Sequence, residues 1–492
     1  MTGEARGGGE PAGAEGGASP PPGPRPWAAG FRSLEAEHDY EVPVDGRVPP
    51  SLRGTLYRNG SGRNELAGAW FPHWFDGDGM VSAIRFHDAG IGYINRFVRT
   101  ESYLDETRAG RIRHRGFGKM RPGGVLANAF RYPANVANTS VIDLGERLFA
   151  LWEGGPPVEL DPASLATLGP ETFGGRVRAF SAHPKRDPAT GEVFNFGIDY
   201  GRRCTLTAYR IDWRGDLTCY PPVTLPDPVM NHDFVLTEHH LVFCLGPILV
   251  HPLTMLLGFA SFDGALEWDG GRPTRILVLR RDGAGPPRFI ETDPFFQFHF
   301  ANGYEDGDCL VVDMARYPDY RTIGAALRGF WRSDWPAEGM AALVRLRIDL
   351  TTGRVATETF EAGSANEFPR IDPRRVARRH RYAYIACNPP GVVDGLQQRI
   401  TRIDLDGGPA VAHDFGPGGY PGEPVFIPAS ADGPEDEGTV VTVVFDAGDG
   451  RSRIVGLDAR DLAAAPLFVA PLRHHVPFSL HGTFVPAVGR AG

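Results

Sequence analysis

The chain has 492 residues, a formal net charge of −9, and 42% hydrophobic and 11% aromatic residues. Net negative charge without a long Lys/Arg track gives no footprint for nucleic acid, and no run of about 18 apolar residues offers a bilayer-spanning helix. Glycine (63) and proline (44) are abundant, which suits short strands joined by tight turns and disfavours a helical bundle.

Residues 1–26, "MTGEARGGGEPAGAEGGASPPPGPRP", carry Gly, Pro and acidic residues but no apolar h-region. They read as a disordered tail rather than a signal peptide. From Trp27 to Gly492 one grammar repeats: a short β-rich run, a turn signal, another short run. "GTLYRNGSGRN", "MVSAIRFHDAGIGYINRFVRT", "TSVIDLGERLFALWE", "EVFNFGIDY", "DCLVVDMA", "RYAYIAC" and "GTVVTVVFDAGDGRSRIVGLDA" follow one another, punctuated by turns such as "HDAG", "DPATGE" and "YEDGD". Helical periodicity is scarce, with "LTMLLGFASF" and "AALRGFWR" as short candidates. No exact repeat and no linker break the run, so the pattern predicts a single all-β domain over 27–492, a β-propeller. Cys204, Cys219, Cys244, Cys309 and Cys387 are odd in number and widely separated, which fits a cytoplasmic location better than a disulfide framework.

The stretch "NHDFVLTEHH" holds three histidines, His232, His239 and His240. Read as a strand and its turn, it separates His232 from His239 by about 23 Å at roughly 3.3 Å per residue. Imidazoles sharing one ion must cluster far more closely. His239 and His240 are therefore expected to be solvated turn residues. His183 in "FSAHPKRDPATGE", His299 in "FHFANGYEDGD" and His481 in "PFSLHGTF" occupy comparable places beside a strand or turn. A radial arrangement of strand units can bring them together with His232; the spacing equally allows four separate, satisfied imidazoles.

At these residues the chain resembles the carotenoid cleavage oxygenase family. The resemblance runs from about Phe31 to Pro486, on "GTLYRNGSG", "HWFDGDGMV", "VANTSVI", "FALWEGG", "FSAHPKRDPATGE", "MNHDFVLTE", "FHFANGYEDGD", "NEFPRID", "GEPVFIP" and "HGTF". It implies a seven-bladed β-propeller capped by a dome of loops and short helices. It also implies a non-haem Fe(II) centre held by His183, His232, His299 and His481, with Glu153, Glu367 and Glu423 fixing the imidazoles from behind and Thr139 beside an open coordination position. The implied reaction is cleavage of a conjugated C=C bond by O2 into two carbonyl products, with no general acid or base.

Trp152, Phe298, Phe300 and Phe478 adjoin these motifs and are candidate walls of an apolar substrate tunnel. The segment Gly246 to Phe262 is too short to span a bilayer. The resemblance favours an interfacial patch at Leu253, Met255, Leu256, Leu257 and Phe259, with peripheral membrane contact. Within the family, lignostilbene-cleaving members carry a lysine shortly before the "ANT" motif and use a tyrosine. Here that place is Ala134, and Tyr103 alone is unspecific. "RPGGVLANAF" resembles bacterial apocarotenoid oxygenases that yield retinal by central (15,15′) cleavage. Apocarotenoid cleavage is thus the leading expectation, and hydroxystilbene cleavage the alternative.

Overall fold

Hairpins form where the turn signals stand. Asp78–His87 returns as Gly90–Phe97 with His87 opposite Gly90, and Gly438–Asp446 returns as Arg451–Asp458 with Asp446 opposite Arg451. The computed structural model describes residues 25–332, 335, 339–392 and 396–487; of the expected tail at 1–26, residues 1–24 lie outside them and Pro26 opens the helical turn Pro26–Phe31. Antiparallel meanders of this kind build seven sheets of four to six strands, the blades of a β-propeller.

The ring closes through its ends. The late strand Ser479–Pro486 pairs with Gly54–Arg63, an early strand of the first blade, so that blade runs Asp39–Val42, Gly90–Phe97, Asp78–His87, Gly54–Arg63, Ser479–Pro486 across its width. The short strand Asp45–Gly46 joins the last blade in return, beside Phe468–Pro471. Closure in this way ties the two ends of the chain into shared sheets.

Blade faces are apolar because alternate residues of each strand point at a neighbouring blade. A separate buried cluster fills each junction. Leu56, Ile84, Val441 and Phe468 seal the seam between last and first blades, while Val235, Cys244, Val312 and Leu346 pack the fourth against the fifth. An eighth cluster, built on Trp27, Phe31, Trp74, Phe296, Tyr317 and Phe330, lies under the dome. The dome carries short helices at Glu101–Ala109, Gly124–Asn128, Pro252–Leu256 and Arg321–Leu327. The last two overlap the helical candidates of the sequence but are shorter or shifted. The first two are additional: Thr100 caps Glu101–Ala109 by accepting from Tyr103 N, and Gly110 ends it at φ 61°.

Truncation before Ser479 is expected to lower the thermal midpoint and broaden unfolding, because the seam loses its inner strand. Leu346→Ala, inside one blade junction, should cost about 2–5 kcal/mol while keeping one cooperative transition. Calorimetry of the two variants checks this.

Candidate metal centre

Side chains singled out in the sequence sit on or beside the axial strands. His299 lies within Phe296–Asp306, His481 within Ser479–Pro486 and Glu367 within Ser364–Arg370. His183 precedes Lys185–Arg186, His232 precedes Val235–Leu236, and Thr139 immediately precedes Ser140–Leu144. Glu423 links Gly419–Pro421 to Val425–Pro428, and Glu153 follows Arg147–Leu151. Several of these strands lose their regular register at the site. Pairing skips between Gln297 and Phe300 around His299, on both sides of Glu367, and opposite Asn59 near His481. Ala365 and Phe368, flanking Glu367, take φ of 52° and 55°. Such irregularities re-aim side chains that a flat ladder would point into the blade faces.

One ligand atom from each of His183, His232, His299 and His481 converges, all within 4.8 Å of one another. Nε2 of His183 and Nε2 of His232 are 2.8 Å apart, and the rings stand at steep angles rather than stacked, 64° for that pair and 79° for His183 and His481. His232 Nδ1 bonds Glu153 Oε2 at 2.5 Å, His481 Nδ1 bonds Glu423 Oε1 at 2.9 Å, and His299 Nδ1 bonds Glu367 Oε2. A carboxylate only accepts, so each of these rings carries its proton on Nδ1 and turns a bare Nε2 lone pair inward. His183 has no carboxylate partner among the described residues; its ring is placed by its neighbours, and its main-chain N–H donates to Ser181 Oγ.

Burial and neighbouring charge tune these groups. Burial, then the other three histidines, holds His183 well below the ordinary imidazole range. Burial takes His481 down to about 4 although Glu423 opposes it. His232 is also desolvated, but Glu153 outweighs this and raises it. Glu423 is desolvated, yet Arg370, His481 and Arg58 together bring it down to about 2. Arg58 is fully buried: Nη1 donates to Glu423 Oε2 at 2.9 Å, and Nη2 to Ser479 Oγ at 2.9 Å. The Tyr317 hydroxyl donates to Glu367 Oε1. Spacing marks neither Arg58 nor Tyr317, although Arg58 lies inside the "GTLYRNGSG" motif.

This donor set fits a divalent transition ion. His299 Nε2 is buried without a hydrogen-bond partner, and converging lone pairs repel unless a cation joins them. Metal–nitrogen bonds of about 2.1 Å put ligand atoms about 3 Å apart at right angles and about 4.2 Å apart when opposite, close to the observed cluster. Four imidazoles favour ions such as iron, zinc or copper over magnesium or calcium.

Two cavities meet beside the cluster. The first, of ≈ 70 Å³, is lined by Trp74, Phe75, Thr139, Phe298, Leu396 and other residues together with His232, His299 and His481. The second, of ≈ 770 Å³, reaches outward past Tyr132, Met255 and Phe262. Phe117, Trp152 and Glu153 line both. Thr139 lines the first cavity, and its Oγ1 donates to Asn138 Oδ1 at 3.1 Å.

Of the four aromatic residues expected in a tunnel, Trp152 and Phe298 line the first cavity. Phe300 does not: the ladder is irregular on both sides of it, between Gln297 and Phe300 and between Phe300 and Asn302, and it packs with Val312 and Met314 between blades. Phe478 is likewise corrected; it packs on Phe31 and Phe445 under the dome. His239 and His240 are not merely solvated, since their Nδ1 atoms share the carboxylate of Glu305 at 2.8 and 3.0 Å.

Leu253 (71%), Phe259 (65%) and Leu257 are exposed, and Leu256 is half-buried. Met255 is a correction: it is buried, lining the second cavity from within its helix. The same apolar surface includes Val125, Leu126 (92%), Phe130 (71%) and Tyr132, which periodicity did not mark. The two short helices are stitched together. Phe130 N donates to Leu256 O at 2.7 Å, and the Arg115 guanidinium donates to the carbonyls of Asn128, Arg131, Met255 and Ala260. Gly258, at φ 79°, lies so close that a Cβ would sit 2.5 Å from Ala129 N.

Comparison with known proteins adds an independent line. The family model described as retinal pigment epithelial membrane protein matches residues 31–486. The chain is 34% identical over 477 residues to an apocarotenoid-15,15′-oxygenase of Synechocystis sp., covering 94% of this chain and 96% of that one. It is 28% identical to a carotenoid 9,10(9′,10′)-cleavage dioxygenase of Pisum sativum (90% and 86% covered) and 29% identical to an isoeugenol monooxygenase of Pseudomonas nitroreducens (91% and 95% covered). Its fold matches the crystal structure of a cobalt-substituted Synechocystis apocarotenoid oxygenase with a TM-score of 0.87 at 33% identity, covering 94% and 99% of the two chains.

His232→Ala is expected to abolish retention of one divalent ion per chain in elemental analysis, whereas His239→Ala/His240→Ala retains it; Glu423→Gln should weaken affinity by about 10- to 100-fold. Protons compete with metal, so affinity should rise with pH and level off above the raised pKa of His232, while His183 and His481 compete only under acid conditions. Titration with Co(II) across pH measures both.

Proposed function

The chain belongs to the retinal pigment epithelial membrane protein family of carotenoid cleavage oxygenases, and from that premise we propose that it is a non-haem Fe(II) dioxygenase that cleaves an apocarotenoid. The favoured scissile bond is the central 15,15′ double bond, with retinal as one product. The observation that carries this reading is the convergence of four imidazoles, three braced by carboxylates, where two cavities meet. The bond position rests on the relative named for 15,15′ cleavage. In this proposal one propeller domain spans 27–492.

His183, His232, His299 and His481 would hold the iron, which when bound would supply the redox chemistry that O2 cleavage needs. The protein supplies geometry. Glu153, Glu367 and Glu423 keep three Nε2 lone pairs bare and aimed. Trp152, Phe298, Phe75 and Phe117 give a rigid polyene an apolar bed, fixing which double bond faces the cluster, and Thr139 lines the same cavity. Adding O2 across C=C gives two carbonyls with atoms balanced and no net proton, so the absence of an assigned acid or base is consistent. The apolar surface at Leu126, Phe130, Leu253 and Phe259 beside the second cavity supports extraction of substrate by a cytoplasmic protein resting on a membrane.

Hydroxystilbene cleavage is the second reading, favoured by the isoeugenol-oxidising relative. Against it, Ala134 stands at the lysine position, and Tyr103 stacks on Phe97 and lies against Arg63 without lining either cavity.

Iron-loaded protein given an apocarotenal and O2 in detergent micelles should yield retinal and a shorter dialdehyde by liquid chromatography; hydroxystilbene should remain. Cleavage of neither substrate sinks the enzymatic readings. Leu126→Glu/Leu253→Glu should reduce co-sedimentation with lipid vesicles and leave turnover in micelles unchanged.

A further inference from the structure

Among the buried acids outside the metal cluster, Asp76 is fully enclosed and has no salt bridge among the described residues. The cations beside it are committed elsewhere, Arg63 to Asp78 at 2.6 Å and Lys119 to Glu106 at 3.0 Å. Burial pushes its carboxyl up to about 7 against the pull of Lys119. What this side chain holds is backbone. Oδ1 accepts from Gly118 N at 3.0 Å and from Lys119 N at 3.1 Å, while Oδ2 is buried without a partner. Those two N–H groups belong to a tight turn, closed by Gly116 N donating to Lys119 O at 2.9 Å, with Phe117 inside it. Glycine on both sides of Phe117 allows the close approach. A Cβ on Gly116 would collide with Asp76 Oδ1, and one on Gly118 would lie 2.7 Å from His73 Cβ.

Phe117 lines both cavities, as do Trp152 and Glu153. Its ring packs against His73 at 4.7 Å, Phe75 at 5.4 Å and Phe262 at 5.2 Å between centroids, and its carbonyl accepts from Asp263 N at 2.8 Å. His73 caps the helical turn Trp74–Asp76, and Phe75 lies within it. One short segment therefore fixes the Gly116–Lys119 turn by hydrogen bonds and by ring contacts together. We propose that Asp76 is a positioning residue: by holding this turn it sets how far Phe117 stands into the junction of the cavities, and so which double bond of a rigid polyene stops beside the four imidazoles. The inference rests on the cleavage reading above and adds the residue that sets the register of the substrate.

A double-mutant cycle on the iron-loaded, full-length protein tests it. Asp76→Ala should lower kcat/KM for an apocarotenal by about 10- to 100-fold, raise the share of cleavage at neighbouring double bonds, and leave iron content unchanged. Asp76→Asn keeps the acceptor oxygen and should restore the parent's rate and product ratio. In a Phe117→Ala background Asp76→Ala should change neither, because the residue through which it acts is gone. Gly118→Ala keeps the carboxyl but forces the turn off His73, and should reproduce the product shift even where Asp76→Ala is too unstable to purify. Losses that multiply in Asp76→Ala/Phe117→Ala, an Asp76→Asn variant as impaired as Asp76→Ala, or a Gly118→Ala variant with the parent's product ratio overturns the proposal. Binding is read separately, by quenching of tryptophan fluorescence without O2, since Trp152 lines both cavities. A parent that binds the apocarotenal but cleaves nothing sinks the oxygenase reading. Weaker binding by Asp76→Ala, absent in the Phe117→Ala background, then upholds the positioning role, and unchanged binding overturns it.

Discussion

Three hydrogen bonds from imidazole Nδ1 to carboxylates, those of Glu367 and Glu423 buried and that of Glu153 half-buried, govern the centre of this molecule. They fix the tautomer of His232, His299 and His481, and so decide that bare lone pairs, not N–H groups, meet on the axis. Without them the rings could rotate to satisfy one another and the cluster would lose its ligand character. The irregular register around His299, Glu367 and His481 follows from this requirement, since a regular ladder cannot aim successive inner strands at one point. Backbone strain at Ala365 and Phe368 is tolerated because the surrounding blade fixes it.

Charge is graded around the centre. Glu423 is completely buried and faces two arginines, Arg58 at 2.9 Å and Arg370 at 3.5 Å. Glu367 receives a neutral phenol, and Glu153 stands at the cavity junction with His232 as its partner. Arg58 belongs to the strand that pairs with the chain's last strand, and it also bonds Ser479 and Leu480 beside His481. Closure of the ring and placement of a ligand histidine are therefore one structural event. The three carboxylates place negative charge directly behind the imidazole cluster.

Much of this was legible because it depends on local sequence. Turn signals located the hairpins, and motif order located the four histidines and three glutamates that the structure brings together. Errors arose where orientation mattered. Phe300 neighbours a candidate ligand but points into a blade junction, and Phe478 reaches the dome core. Met255 lies in an apolar run whose helix turns it inward. His239 and His240 were read as solvated because Glu305, on another blade, is 65 residues or more away in sequence. Helix Gly124–Asn128 escaped notice because five residues carry no measurable period, although its exposed leucine widens the apolar surface.

The sequence by itself determined the strand-and-turn grammar, the overall charge, and which residue types were available for chemistry, because hydrophobic alternation and turn propensity act over a few residues. Tertiary structure alone decided that His183, His232, His299 and His481 share one space, that Arg58 and Tyr317 stand behind their carboxylates, and that two distant short helices form one surface under Arg115. Those relations join residues tens to hundreds of positions apart. They exist only once seven sheets close into a ring and each inner strand is given its distance from a common axis.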